Sequence, residues 1–409
     1  MKKSKQIMYI LLFSLLAFWT ISFVKFYSIK SEVGFIQRDG GVIYKDENRH
    51  QYFGMHEIDG KTYYFDPNTG YISEGFKKVG SKTFYFKKNG TVNTGLKKIK
   101  GDTYFFNKDG SIIKDELTFI DVDGKMQRSC FDENGKMLIS KSTEIDGIQY
   151  SFDENGALYY DIKYLQKHVE EIAAKYKGTS SIYFKDLTTG ETFSSNDRTY
   201  YACCMIKVPA LVAVYQQIEN GTIDFKSNQS DIEKMIFISD NTAFNHLMKK
   251  IGKDDGLKGL DLANTAARTY GMDSTVLHHG LKPGEDFFTD GESNISSAKD
   301  SGVLLENLYN GKVINEQRSK EMIELLKQCA DTTKLVEGLP ANTVIAHKSG
   351  DAELEAGNYN HDGGIIYLPN RNYILSVYTK DVTDPAAIMK EISQFVYKYQ
   401  SIFAEKSPY

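Results

Sequence analysis

The stretch Tyr201–Pro209 reads YACCMIKVP, and the second half of the chain takes its meaning from it. Cys204 stands three residues before Lys207 at what reads as a helix start, a spacing that puts both on one face. A thiol at a helix N-terminus beside an ammonium ionises more readily than a free one, so a thiolate is available near neutral pH without a histidine base. Two other readings of Cys204 stay open: a small buried hydrophobe, and the remnant of a lost nucleophile. Its neighbour Cys203 points elsewhere and reads as packing. Pro209, lacking an N–H, bends or tightens the early helix.

Two more short motifs follow in order, SDN at Ser239–Asn241 and KSG at Lys348–Gly350, about 35 and 109 residues further along in turn. SDN also reads as a capping cluster for the helix that opens NTAFNHLMKK. Around the motifs, IKYLQKHVEEIAAKYKG has helical spacing and SSIYFKDLTTGETFSSN is a hairpin. Helical runs come next, then the strands TVIAHKSG, DGGIIYLP and NYILSVYTK, and a closing helix from about Pro385 to Phe403. Strands at both ends of a helical middle predict a sheet closed by the two termini, an α/β or α+β fold.

With serine in place of Cys204 the set is S-x-x-K, S-D-N and K-[TS]-G, and the chain from about Asp161 to Tyr399 resembles the class A β-lactamase and penicillin-binding family. MIFISDNTAFNHLMKKIG is similar to that family's second-motif helix, and SSAKDSGVLLENLYNGKVI to a later one. The resemblance implies a β-lactamase/transpeptidase-like domain with roles for particular residues. Cys204 would be the nucleophile, with Lys207 beside it and Ser239 relaying a proton to the leaving nitrogen. Asn241 would hold the substrate's amide, and Lys348 with Ser349 and Gly350 its carboxylate. The backbone N–H groups of Cys204 and Asp351 would form the oxyanion hole. The implied ligand is a peptidoglycan stem peptide or a β-lactam, with no cofactor.

One departure bears on the reaction. Class A β-lactamases carry a loop glutamate that activates the deacylating water. In STVLHHGLKPGEDFFTDGESNIS, counting from Thr275, the glutamate position falls on Leu281 and the following asparagine position on Glu285. Without that base an acyl-enzyme hydrolyses slowly, which places a β-lactamase last among the readings. The adjacent His278 and His279 lack a partner at ligand spacing, and no metal site is expected.

From about Gly34 to Tyr160 the chain repeats itself. EIDGKTYYFDPNTGYISEGF, KVGSKTFYFKKNGTVNTGL, IKGDTYFFNKDGSIIKDEL and EIDGIQYSFDENGALYY each hold a Gly turn, a three-residue aromatic strand and a second Gly turn. DVDGKMQRSCFDENGKML is a degenerate unit of the same array. A period near 20 residues predicts a β-hairpin solenoid whose units stack to bury their aromatic faces. The units resemble Gram-positive cell-wall-binding and clostridial toxin repeats, which implies a cell-wall glycan as partner. Choline binding in that family uses a Trp-rich cage, and the single Trp here is Trp19, outside the repeats. A purely structural stalk is the other reading of the array.

At the N-terminus, Lys2, Lys3 and Lys5 precede an uncharged run over residues 6–24, QIMYILLFSLLAFWTISFV. Eighteen helical residues rise about 27 Å, close to the hydrocarbon thickness of a bilayer. No small-residue cleavage pattern follows Val24, so the expectation is one uncleaved transmembrane signal anchor. The lysines put the N-terminus inside and the domains after Lys25 outside, associated with the wall. The expected organisation is therefore a tail and anchor over 1–29, repeats over 30–160 and a catalytic domain over 161–409.

A net charge of −4 over 409 residues gives no reason to expect a nucleic-acid partner. Four cysteines at 130, 203, 204 and 329 form no disulfide framework, although a bridge from Cys203 to Cys329 or Cys130 stays open. The leading expectation is a membrane-anchored, wall-facing acyl-transfer enzyme, hydrolase or transpeptidase, acting through Cys204. The alternative is an inactive pseudoenzyme that binds wall or β-lactam.

Overall fold

The computed structural model describes Ser14 and residues 33–404. The expected membrane span at residues 6–24 thus lies outside the described residues, Ser14 apart, and no helix among the described residues is long and apolar enough to cross a membrane. Two compact units divide between Tyr159 and Tyr160.

The first unit is a run of antiparallel hairpins. Gly54–Ile58 pairs with Lys61–Phe65, Gly75–Val79 with Lys82–Phe86, and Gly95–Ile99 with Asp102–Phe106. Longer strands, Glu116–Val122 with Lys125–Phe131, form the degenerate unit, and Lys141–Ile145 with Ile148–Phe152 the last. A further hairpin, Gly34–Arg38 with Gly41–Lys45, precedes the quoted units, and most strands run five residues rather than three.

The last aromatic of each second strand, Phe65, Phe86, Phe106, Phe131 and Phe152, is at most 2% exposed. These rings are what a lone hairpin could not bury, since two strands have only one side to cover. Neighbouring units are tied by backbone bonds from Val92 N to Thr62 O, Ile112 N to Thr83 O and Met137 N to Thr103 O, at 2.8–2.9 Å. Gly110 shows why the second turn needs glycine: its φ is +82°, and a Cβ there would sit 2.3 Å from Val92 of the preceding unit.

In the second unit a five-stranded antiparallel sheet is built from β1 (Thr179–Asp186), β2 (Thr192–Ser195), β3 (Val344–Leu354), β4 (Gly357–Tyr367) and β5 (Tyr373–Lys380). The order is β2-β1-β5-β4-β3, so strands from both ends of the unit pair at its centre, as the sequence predicts. β5 is buried at seven of its eight positions and β1 at five of eight, four of them consecutive, which means both faces of the sheet are covered there. The helix α1 (Ile162–Ala174) packs against the closing α8 (Pro385–Ala404), and α6 (Ala298–Tyr309) lies against β1, β4 and β5. The contact is close: a Cβ at Gly302 of α6 would sit 2.1 Å from the Tyr183 ring of β1.

The helical middle is organised by α2 (Lys207–Glu219), whose residues from Lys207 to Tyr215 are all buried. Around it stand α3 (Phe225–Phe237), α4 (Asn241–Ile251), α5 (Gly256–Thr269) and α7 (Glu316–Leu326). Each fully buried Leu, Ile or Val on such a helix contributes roughly 1.5–3 kcal/mol. α2 therefore holds its N-terminus, and the cysteines before it, in a fixed place.

Candidate active site

Cys203–Ile206 forms a 3₁₀ turn that runs straight into α2, so Cys204 and Lys207 lie at the joint. Pro209 falls in the first turn of α2, where its missing N–H would have had no helical partner. Cys203 takes a left-handed conformation, φ +51°, which costs a non-glycine residue about 1 kcal/mol or more and persists only where packing imposes it. Its own side chain is buried, and burial pushes its thiol far up, so it is packing, as expected. Cys204, half-buried, faces a cavity of about 520 Å³.

Lys207 is fully buried, and its Nζ lies 3.2 Å from Cys204 Sγ, 3.0 Å from Ser239 Oγ and 2.7 Å from Asn241 Oδ1, and also donates to Ser239 O. Burial lowers the Lys207 ammonium to about 8, against the pull of the nearby thiol. Burial raises the Cys204 thiol, but the charges of Lys207 and Lys348, with hydrogen bonds from Ser239 and Lys207, outweigh it and bring the thiol below its ordinary value. The arrangement favours the thiolate form of Cys204 beside a cation.

Ser239 and Asn241 reach the cleft because Asp240 between them caps α4, accepting from Ala243 N at 2.7 Å. The capping reading of SDN holds for its central residue, and its neighbours Ser239 and Asn241 face the cavity. Ser239 is left-handed too, φ +56°, a second strained residue at the site. Asn241 Nδ2 donates to Lys282 O at 3.2 Å and joins the helix to the loop beyond α5.

β3 supplies the opposite wall with Lys348, Ser349, Gly350 and Asp351. Lys348 is 1% exposed and donates to Ser349 O at 2.6 Å. A Cβ on Gly350 would lie 2.6 Å from Cys204 N, so the strand passes as close to the 3₁₀ turn as backbone allows. Asp351 is engaged with Lys334 at 2.8 Å.

The eight residues singled out from the three motifs therefore line or border one cavity. The loop differs from the count made along the sequence. Leu281 is buried, its N–H bonded to Asn245, whereas Lys282 and Pro283 form the cavity wall. Glu285 is held outside by a bond from its N–H to Thr242. Asp331, Lys334 and Cys329 were not anticipated; they come from the segment after α7, which carries no motif. Burial opposes a charge on Asp331, but hydrogen bonds from Ser349 and Thr333, with Lys334 3.5 Å away, hold its carboxyl well below the usual range.

All four cysteines are free thiols, which closes the question of a Cys203 bridge. His278 is paired with Asp290 at 2.8 Å. A larger groove of about 1130 Å³ lies between α2 and α7, lined by Tyr215, Phe225 and Leu325, and holds none of the motif residues.

A five-stranded sheet covered by helices frames a cleft in which the buried Lys207 and Lys348 stand near Cys204. The chain belongs to the beta-lactamase enzyme family, whose model matches residues 164–232 and 229–400. A second model, a putative cell wall binding repeat, matches residues 56–68, 74–91 and 94–112. Extended-spectrum beta-lactamase PER-1 of Pseudomonas aeruginosa is 27% identical over 115 residues, 26% of this chain. The chain spans 37% of the length of that curated relative. Among solved structures, that of PBP-A matches with TM-score 0.50 at 22% identity, covering 58% of this chain and 96% of that one. A beta-lactamase from Sphaerobacter thermophilus matches with TM-score 0.50 at 20% identity, covering 59% and 99%. These likenesses establish the fold of the second unit.

Proposed function

We propose that the protein is a cell-wall acyl-transfer enzyme in which Cys204 attacks a peptide carbonyl of the peptidoglycan stem and forms a thioester. The observation that carries this reading is the 3.2 Å approach of Lys207 Nζ to Cys204 Sγ, with Ser239 and Asn241 on the same ammonium. Lys207 stabilises the thiolate, Ser239 passes a proton to the leaving nitrogen, and the N–H groups of Cys204 and Asp351 receive the oxyanion. Lys348 and Ser349 bind the substrate carboxylate.

Transfer to an amine is favoured over hydrolysis. The carboxylates lining the cavity are Asp331 and Asp351, and both are bound to Lys334, so neither is free to activate water. A thioester is also more electrophilic towards an amine than an ester is. Release of only hydrolysed peptide from a cross-linked muropeptide would refute the preference.

The repeats would hold the enzyme on wall glycan, and residues 6–24 would anchor it in the membrane with the domains outside. The test is the intact mass of the full chain after exposure to a β-lactam and to a stem-peptide thioester. An adduct on wild type that is absent from Cys204→Ala supports the enzyme. No adduct on wild type, with one on Cys204→Ser, would replace it by a wall-binding pseudoenzyme.

A further inference from the structure

One run of the repeats differs in charge from the rest. Residues 75–101 hold eight lysines and no acid, over the hairpin of Gly75–Val79 with Lys82–Phe86 and the first strand, Gly95–Ile99, of the next. Residues 54–74 before them carry four acids and one lysine, and residues 115–135 after them carry six acids, one lysine and one arginine. In a chain of net charge −4, the positive charge is thus a band confined to two neighbouring hairpins. Lys82 is engaged with Asp109 at 2.6 Å, but Lys78, Lys87, Lys88, Lys97, Lys98 and Lys100 are exposed and form no ion pair among the described residues. Like charges grouped without partners repel one another, and an anion laid across them relieves that repulsion.

The band also holds an exposed ring. Phe76, 43% exposed, stands 4.8 Å from Tyr85, its partner across the hairpin, and 5.2 Å from Tyr104 of the next unit. Lys78 lies two residues along the strand from Phe76, hence on the same face, and both are exposed there. Lys97 is the cross-strand partner of Tyr104, hence on that ring's face. Lysines therefore flank the aromatic cluster from both hairpins. The corresponding cluster of Phe35, Tyr44 and Tyr63 has Gln37 and His56 in these two places, and no lysine.

We propose that the face carrying Phe76, Lys78 and Lys97 binds an acidic polysaccharide, with one sugar ring on Phe76 and the anionic groups of the chain on the lysines. The ligand class follows from the two features together. A ring-free polyanion would use the lysines and leave Phe76 idle, and a neutral glycan would use Phe76 and leave the lysines unpaired. A broad anionic surface would also meet the acidic hairpins on either side of the band, whereas a chain crossing the band meets only lysines. The inference rests on the reading of the repeats as glycan-binding and adds the charge of the glycan to it.

The test is capture of the full-length protein, in neutral detergent, on beads bearing polygalacturonate or its fully methyl-esterified form, which keeps the sugar ring and lacks the charge. Polygalacturonate is expected to bind about tenfold tighter or more. Raising the salt from about 0.1 M to about 1 M shortens the screening length from about 10 Å to about 3 Å and should remove that difference. The double variant Lys78→Glu, Lys97→Thr should remove it too. Both changes suit the fold, because Glu57 and Thr143 stand at the matching places of other hairpins, opposite Thr62 and Tyr150. Phe76→Ala should weaken capture on both polymers. Equal capture of wild type on the two polymers would overturn the acidic assignment and leave the glycan reading standing, and capture on neither would overturn both. Inorganic polyphosphate bound as tightly as polygalacturonate, with Phe76→Ala without effect, would replace the polysaccharide by a ring-free polyanion.

Discussion

Lys207 has four acceptors within reach and three protons to give, so one contact is always unmade and the proton pattern at the site shifts readily. In the reaction proposed for Cys204, the reactive form pairs a thiolate with an ammonium. Its acidic limit is protonation of Cys204, below the ordinary thiol range, and its alkaline limit is the loss of the Lys207 proton at about 8. Adduct formation at Cys204, followed by mass from pH 5 to 10, should therefore be bell-shaped. Lys207→Met should lower the rate at pH 7 by about 10²–10⁴-fold and move the acidic limb up towards the free-thiol value near 8.5. An unmoved limb would mean that Lys207 does not set the thiolate. At this scale Cys204, Lys207, Ser239, Asn241 and Lys348 were legible in the sequence because each belongs to a short motif. Asp331 and Lys334 were not, since they belong to no motif and meet Ser349 and Asp351 only once β3 is in place beside them.

Among the elements, β3 decides the width of the cleft. Gly350→Ala would put a methyl 2.6 Å from Cys204 N, and strand or turn must move. The expected result is a fall of about 10²–10³-fold in adduct formation, the size of losing one oxyanion donor, while circular dichroism stays unchanged. At the start of α4, Asp240→Ala should cost about 1 kcal/mol in denaturant unfolding and also lower the adduct rate, because the cap presents Ser239 and Asn241.

The pairing of β3 with β4 brings His347 to Asp362 in the interior. Because folding raises His347 from an ordinary value near 6.5 to about 10, its charged form stabilises the fold fully at pH 6 and progressively less as pH rises through about 10. Asp362→Asn should cost about 3–5 kcal/mol at pH 6, with the gap to wild type narrowing by pH 10 in calorimetric melts. A gap independent of pH would remove the ion pair as its cause. The loop beyond α5 shows the limit of counting along a sequence: its register is fixed by the bonds of Asn241 and Asn245 to its backbone, which place Lys282 rather than Leu281 on the cavity.

At the scale of the whole molecule, the repeats form a compact unit of their own with exposed aromatic rings. Phe35, 45% exposed, lies 4.9 Å from Tyr44 and 5.1 Å from Tyr63, and Phe76, 43% exposed, lies 4.8 Å from Tyr85 and 5.2 Å from Tyr104. Rings grouped this way offer flat apolar faces to a sugar ring. The double variant Phe35→Ala, Phe76→Ala should weaken sedimentation with purified wall glycan about tenfold, each ring supplying roughly 0.5–1.5 kcal/mol, with no change in adduct formation at Cys204. Unchanged sedimentation would return the repeats to the role of a stalk.

The sequence by itself determined the α/β class of the second unit, the hairpin repeats and the membership of the three motifs, because periodicity, turn residues and fixed short spacings are local properties. Only the tertiary structure decided how close the motifs stand, which loop residue meets the cavity, and that Cys329 and Asp331 share a cavity with Lys348 and Ser349. Those depend on strand order and on which side chains the packing leaves facing the cleft, and neither is written in any one segment.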